Sequence, residues 1–226
     1  MKLRAFALFL GIATLVSFGV VATSSAKQQY GTISGTVLDR QGATVAHAKV
    51  TANFVCVTPC VKTRILDQTD SDDQGRYEFK RLEYGRYSVS AEKAEENYPE
   101  LYSSFYSLEA QPEVDVSEAN QNVTLDLVLK IKAGVLVGTV ADGETENPMD
   151  ANVEFRSTTD SRRGITGWGL TNARFRVLVP SDAPVLMKVS KPGYEDWFYT
   201  RNGVIVPIQL GPDETLSIEI RLKKRP

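Results

Sequence analysis

Histidine is nearly absent from this 226-residue chain, with His47 the only one. A zinc centre built on several imidazoles therefore cannot be assembled, and a Ser-His-Asp arrangement would have to run through that single residue. Runs of basic residues are equally scarce. Arg162-Arg163 and the terminal Lys223-Lys224-Arg225 are the notable clusters, and 26 basic residues face 28 acidic ones. Such a balance disfavours binding to a phosphate backbone, so nucleic acid is not an expected partner. There is no low-complexity block and no stretch of helical period, and after residue 26 no segment is apolar enough to span a bilayer. Only two cysteines are present, Cys56 and Cys60.

What the sequence does have begins with a leader. Lys2 and Arg4 precede an apolar run from Ala5 to Ala22 that closes on Ser24-Ser25-Ala26. The pattern predicts a signal peptide over 1–26, cleaved after Ala26; retention of the segment as a membrane anchor is the alternative. A secreted or periplasmic chain follows, with no membrane span in its mature part.

The remainder repeats itself. GTISGTVLDRQGATVAHAKVTANF aligns with AGVLVGTVADGETENPMDANVEFRS, and QNVTLDLVLKIK aligns with ETLSIEIRLKKR. A period of about 100 residues is the size of a domain and too long for a solenoid repeat. Two modules are expected, at 30–131 and 134–224. Within them apolar residues recur at alternate positions, the mark of strands with one buried face. Val50, Ala52 and Phe54 form one such row. Val123, Leu125, Leu127 and Leu129 close the first module, and Leu216, Ile218, Ile220 and Leu222 close the second. Gly75 and Gly85 stand where tight turns need a positive φ, and Tyr77 and Phe79 point into the core.

These residues resemble the carboxypeptidase regulatory-like domain, a transthyretin-like seven-stranded sandwich related to the B-type repeats of surface proteins. ISGTVLDRQGATVAHAKVTA is similar to its opening strands, and TDSDDQGRYEFKRLEYGRYSVSAEK to its T-D-x-x-G-x-Y-x-F-x-x-L-x-x-G-x-Y segment. The second module departs from the pattern, with Ala173 in place of Gly75 and SDAP in place of the EYG turn. The resemblance implies an all-β fold of two tandem sandwiches and implies little chemistry, because its motif consists of turn glycines and core aromatics. The catalytic domain of a metallocarboxypeptidase is missing. The chain also lacks the Tyr-Arg-Gly-Ser ending of hydrolases that share the fold. Nor do the first and last strands carry the lysine and asparagine from which some relatives form an isopeptide bond.

The acidic stretch Asp70-Ser71-Asp72-Asp73-Gln74-Gly75 begins like a calcium loop, but Arg81 falls where the bidentate glutamate belongs. A solvated turn is the simpler expectation, with no metal and no cofactor. Cys56 and Cys60, with three residues between them in an exported chain, are expected to form a disulfide across a hairpin tip. The candidate ligand-binding residues are the aromatics that follow the fifth strand of each module: Tyr98, Tyr102 and Tyr106 in the first, Tyr194, Trp197 and Tyr199 in the second. Their alternative role is core packing. The expected function is that of an exported, non-enzymatic structural or binding element of the envelope or extracellular space. Its partner would be an envelope or extracellular protein or a glycan; a pair of carbohydrate-binding modules is the rival.

Overall fold

A computed structural model describes residues 29–55, 66–100, 104–170 and 172–226. The leader, Cys56, Cys60 and Tyr102 lie outside the described residues. The chain is all-β and folds as two sandwiches.

The first sandwich is built from β1 (Tyr30–Leu38), β2 (Lys49–Phe54), β3 (Leu66–Asp70), β4 (Arg76–Glu83), β5 (Gly85–Glu92), β6 (Glu113–Val116), β7 (Asn122–Thr124) and β8 (Leu127–Val128). One sheet has the order β4-β1-β7, with β8 continuing along β1, and the other has the order β3-β2-β5-β6. The alternating apolar rows meet between them: Ile33 and Val37 from β1, Tyr77 and Phe79 from β4, and Val50, Ala52, Tyr87 and Val89 from the facing sheet. Each large aliphatic side chain buried in this way contributes about 1.5–3 kcal/mol before the entropy of ordering is subtracted.

The second sandwich comprises β9 (Gly134–Asp142), β10 (Ala151–Ser157), β11 (Gly164–Leu170), β12 (Arg174–Val179), β13 (Val185–Ser190), β14 (Trp197–Phe198), β15 (Thr200–Arg201), β16 (Val204–Ile205) and β17 (Thr215–Leu222). Its sheets run β12-β9-β17 and β11-β10-β13-β14, the same order strand for strand as the first. In both, the closing strand lies parallel to the opening one. The addition is the hairpin β15-β16, which has no counterpart among the described residues of the first sandwich.

The close approach of opening and closing strands explains the shared Gly-Thr-Val. A Cβ on Gly35 would sit 1.9 Å from the Leu125 carbonyl oxygen, and one on Gly138 would sit 2.4 Å from that of Ile218. The closing strand of the first sandwich, expected as one piece, is interrupted between β7 and β8 although its register along β1 is unchanged. Side chains replace the ladder there. The Asp126 carboxylate accepts the Thr36 N–H at 2.8 Å, and the Tyr77 hydroxyl donates to the Leu125 carbonyl at 2.7 Å.

The turn before β4 is organised by Asp72, whose carboxylate accepts the N–H groups of Gln74 and Arg76 at 2.9 and 2.8 Å. Gly75 takes φ +77° within it, as its position in the sequence predicts. At the corresponding turn of the second sandwich, Asn172 and Ala173 adopt φ +66° and +59° without a glycine, and a Cβ in that region costs about 1 kcal/mol. Among the described residues no helix is long and apolar enough to cross a membrane.

Candidate functional site

The two aromatic segments occupy different environments. In the first sandwich the segment leaves β5 through a single 3₁₀ turn, Ala94–Glu96, and reaches the second sandwich before returning to β6. Tyr98 is half-buried beside the connector, with the Lys132 ammonium 5.2 Å from its ring centre. Phe105 is fully buried, and it is buried in the core of the other sandwich, its ring 5.7 Å from that of Phe155. Tyr106 stacks obliquely on Phe105 at 5.1 Å and donates its hydroxyl to the Leu178 carbonyl at 3.0 Å. Burial, and then the charges of Glu100 and Glu92, push that phenol up to about 12.

A cation holds this insertion in place. Arg163 is buried just before β11, where its guanidinium donates to the carbonyls of Phe105 at 3.1 Å and Tyr106 at 3.0 Å. The same group pairs with Asp182 at 2.7 Å. Further bonds cross the junction. Asn97 accepts from Arg176 at 2.5 Å and donates to Asp213 at 2.8 Å, while its carbonyl accepts the Ala133 N–H at 2.8 Å. The connector therefore has its polar groups satisfied by both sandwiches. Sequence reasoning missed Arg163 and Asp182, because a basic pair in a polar stretch carries no sign that one member is buried.

In the second sandwich Tyr194 donates its hydroxyl to Asp142 at 2.7 Å. That carboxylate also accepts the N–H groups of Thr145 and Glu144 and lies 3.6 Å from the Lys224 ammonium. The hydrogen bonds from Thr145, Tyr194 and Glu144 hold it far below the usual carboxylate range, and the Tyr194 phenol is raised in turn. Tyr194 thus fastens its loop to the end of β9, and backbone bonds from Glu195 to Lys223 and from Arg225 to Gly193 tie the same loop to residues 223–225. Tyr199 packs against the core and accepts a bond from Arg201 at 3.2 Å.

Trp197 has a different setting. Half-buried against the core, it also lines an open cleft of about 330 Å³ together with Glu195, Thr200, Arg221 and Lys223. Phe198 is exposed beside it, and the neighbouring hairpin presents Val204 and Ile205 at 63% and 51% exposure. The hairpin was legible in the sequence: Asn202-Gly203 is a strong two-residue turn signal, and both residues take positive φ, +52° and +76°. Of the six aromatic candidates, then, Tyr106 and Tyr194 have their hydroxyls committed inside the chain, Tyr98 and Tyr199 are half-buried, Trp197 faces a cleft and Tyr102 is not described.

His47 sits exposed at φ +54° with its Nε2 3.1 Å from an Asp73 oxygen, equally exposed. No three His, Cys, Asp or Glu residues among those described are grouped so as to hold a metal.

Residues 32–130 match the family model of the carboxypeptidase regulatory-like domain, so the first sandwich contains one such domain. No curated protein matches the chain. Among solved structures the chain is similar to the TIE protein of Bacillus anthracis, with 17% identity over 86% of this chain and 34% of that one and a TM-score of 0.33. It is also similar to a streptococcal ancillary pilin, with 16% identity, 87% and 62% coverage and a TM-score of 0.37. A minor pilin of Streptococcus agalactiae gives 14% identity, 87% and 97% coverage and 0.36. The chain thus spans 34% and 62% of the first two of these proteins.

Proposed function

We propose that this chain is an exported, non-enzymatic protein whose two modules, at 30–131 and 134–224, act together as a structural or binding element of the cell envelope or extracellular space. In this reading the second module is a divergent copy of the first, and residues 1–26 serve as the export signal. The observation that carries the proposal is the insertion of Phe105 into the core around Phe155. A loop of one sandwich that completes the core of the next couples the two mechanically, as a load-bearing or spacing element requires. A short connector alone would leave them free to rock. The partner is an envelope or extracellular protein or a glycan.

Fractionation of the producing cells, with protease shaving of intact cells, tests this directly. The chain is expected outside the cytoplasmic membrane, and the purified protein is expected to turn over no peptide, ester or glycoside substrate. A cytoplasmic location, or turnover that survives purification to homogeneity, contradicts the proposal.

A second reading, carbohydrate binding through the loop aromatics, is favoured by Trp197 alone, since its ring lines a cleft that also carries Glu195, Arg221 and Lys223. Trp197→Ala should then abolish glycan-array binding while the melting temperature stays close to that of the parent. Unchanged glycan binding in that variant argues against it.

A further inference from the structure

The two sandwiches share a strand order but differ on the outer face of the sheet built around β2 and β5 or their counterparts β10 and β13. In the second sandwich Glu154 on β10 is in register with Lys188 on β13, so two long charged side chains cover the middle of the face. Glu154 is further tied to Arg156, and Lys188 to Asp196 at 2.9 Å. The register partners at the same place in the first sandwich are Thr51 and Ser90, two short hydroxyl side chains. With nothing long above them, a groove of about 250 Å³ opens over the sheet. Its floor is polar yet recessed, since Thr51 and Ser90 are only 8% and 3% exposed.

The walls supply charge. Lys49 and Glu92 stand at one end as an ion pair at 2.5 Å, with Asp70 the register partner of Lys49 on the far side. Glu100 lines the groove as a second carboxylate and forms no ion pair or hydrogen bond among the described residues. Burial and the nearby charge of Glu92 raise its pKa while Lys49 lowers it; among the described residues that line the groove, the two carboxylates Glu92 and Glu100 face the single ammonium of Lys49. Gln68, which donates to the Thr51 hydroxyl at 3.3 Å, adds an amide to the lining.

The geometry points to a binding site on this face for a small hydroxylated ligand bearing one ammonium group, an amino sugar unit with a free amine. The ammonium would lie between Glu92 and Glu100, relieving their repulsion, and the ring hydroxyls would bond to Thr51, Ser90 and Gln68. The volume lies below the roughly 300–1,000 Å³ of pockets for drug-sized ligands and suits a single ring. This site lies on the first sandwich, away from the Trp197 cleft, and does not depend on the aromatic reading above.

The test is a titration of the purified ¹⁵N-labelled chain with glucosamine, glucose, N-acetylglucosamine and methylamine, read by amide chemical shifts. Glucosamine is expected to move the amides of Thr51, Gln68 and Ser90. Glucose and N-acetylglucosamine, which lack the cation, should bind about tenfold more weakly or worse. Methylamine, which lacks the hydroxyls, should also be weaker. Glu100→Gln should weaken glucosamine by a similar factor. The double variant Thr51→Glu with Ser90→Lys copies the pair that the second sandwich already tolerates, so it should remain folded and lose the response. The proposal is overturned if glucosamine leaves these amides unmoved, if glucose or methylamine binds as tightly, or if the response survives in the folded double variant.

Discussion

Phe105 and Phe155 belong to different sandwiches, yet their rings lie 5.7 Å apart inside a single hydrophobic core. One comes from a loop between β5 and β6, the other from a central strand of the second sandwich. The core of the second module is therefore completed by a residue that its own sequence does not contain. Phe105→Ala should leave a cavity and cost about 3–5 kcal/mol. Urea denaturation is the measurement, and the loss should fall on the second sandwich, whose amides should exchange faster while those of β1 and β2 stay protected. Unchanged stability would remove Phe105 from the core.

Arg163 and Asp182 should not respond alike, although they form one ion pair. Arg163 is buried and satisfies two carbonyls of the inserted segment as well as the carboxylate, so Arg163→Ala leaves buried acceptors without a donor and should cost about 3 kcal/mol. Asp182 is half exposed, and Asp182→Asn should cost about 1 kcal/mol or less. Thermal melts of the two variants would show equal losses only if the carbonyl bonds contribute nothing.

The acid sensitivity of the second sandwich should centre on Asp142. Its folded-state pKa is depressed, so the stability it contributes is complete above the ordinary carboxylate value of about 4 and is lost as pH falls toward the folded value. The parent should therefore lose stability progressively below about pH 4, and Asp142→Asn should flatten that part of the profile. Tyr194→Phe, which removes one of the hydrogen bonds, should flatten it partly. A pH profile identical in all three proteins would contradict the assignment.

Cys56 and Cys60 are expected to form a disulfide. Closing so short a loop stabilises by about 2 kcal/mol at most, so the double serine variant should fold with a modest drop in melting temperature. Two titratable thiols in chain isolated from an oxidising compartment would exclude the bond.

Much of the fold was legible because period-two patterning is a local property. Val50 and Ala52 are buried where alternation places them, and so are Ile218, Ile220 and Leu222 of β17. The repeat likewise foreshadowed the identical strand order. The destination of Phe105 was not legible, since alternation says that a residue is apolar and on a face without saying whose core it enters. The gap between β7 and β8 was hidden for a related reason: Asp126 and Tyr77 replace backbone bonds through contacts distant in sequence. The groove on the first sandwich could have been found by comparing the two repeats, because the exchange of Thr51 and Ser90 for Glu154 and Lys188 is visible in the chain itself.

The mechanical coupling of the two sandwiches is tested most directly by residual dipolar couplings measured on backbone amides of the intact chain in a weakly aligning medium. Couplings from β1, β2, β4 and β5 and those from β9, β10, β12 and β13 should fit one alignment tensor of common magnitude and orientation, because Phe105, Arg163 and Asn97 hold the modules in one frame. In Phe105→Ala the two sets should separate. Two tensors of different magnitude in the parent chain would mean that the sandwiches move independently, and the proposal of a coupled structural element would fail.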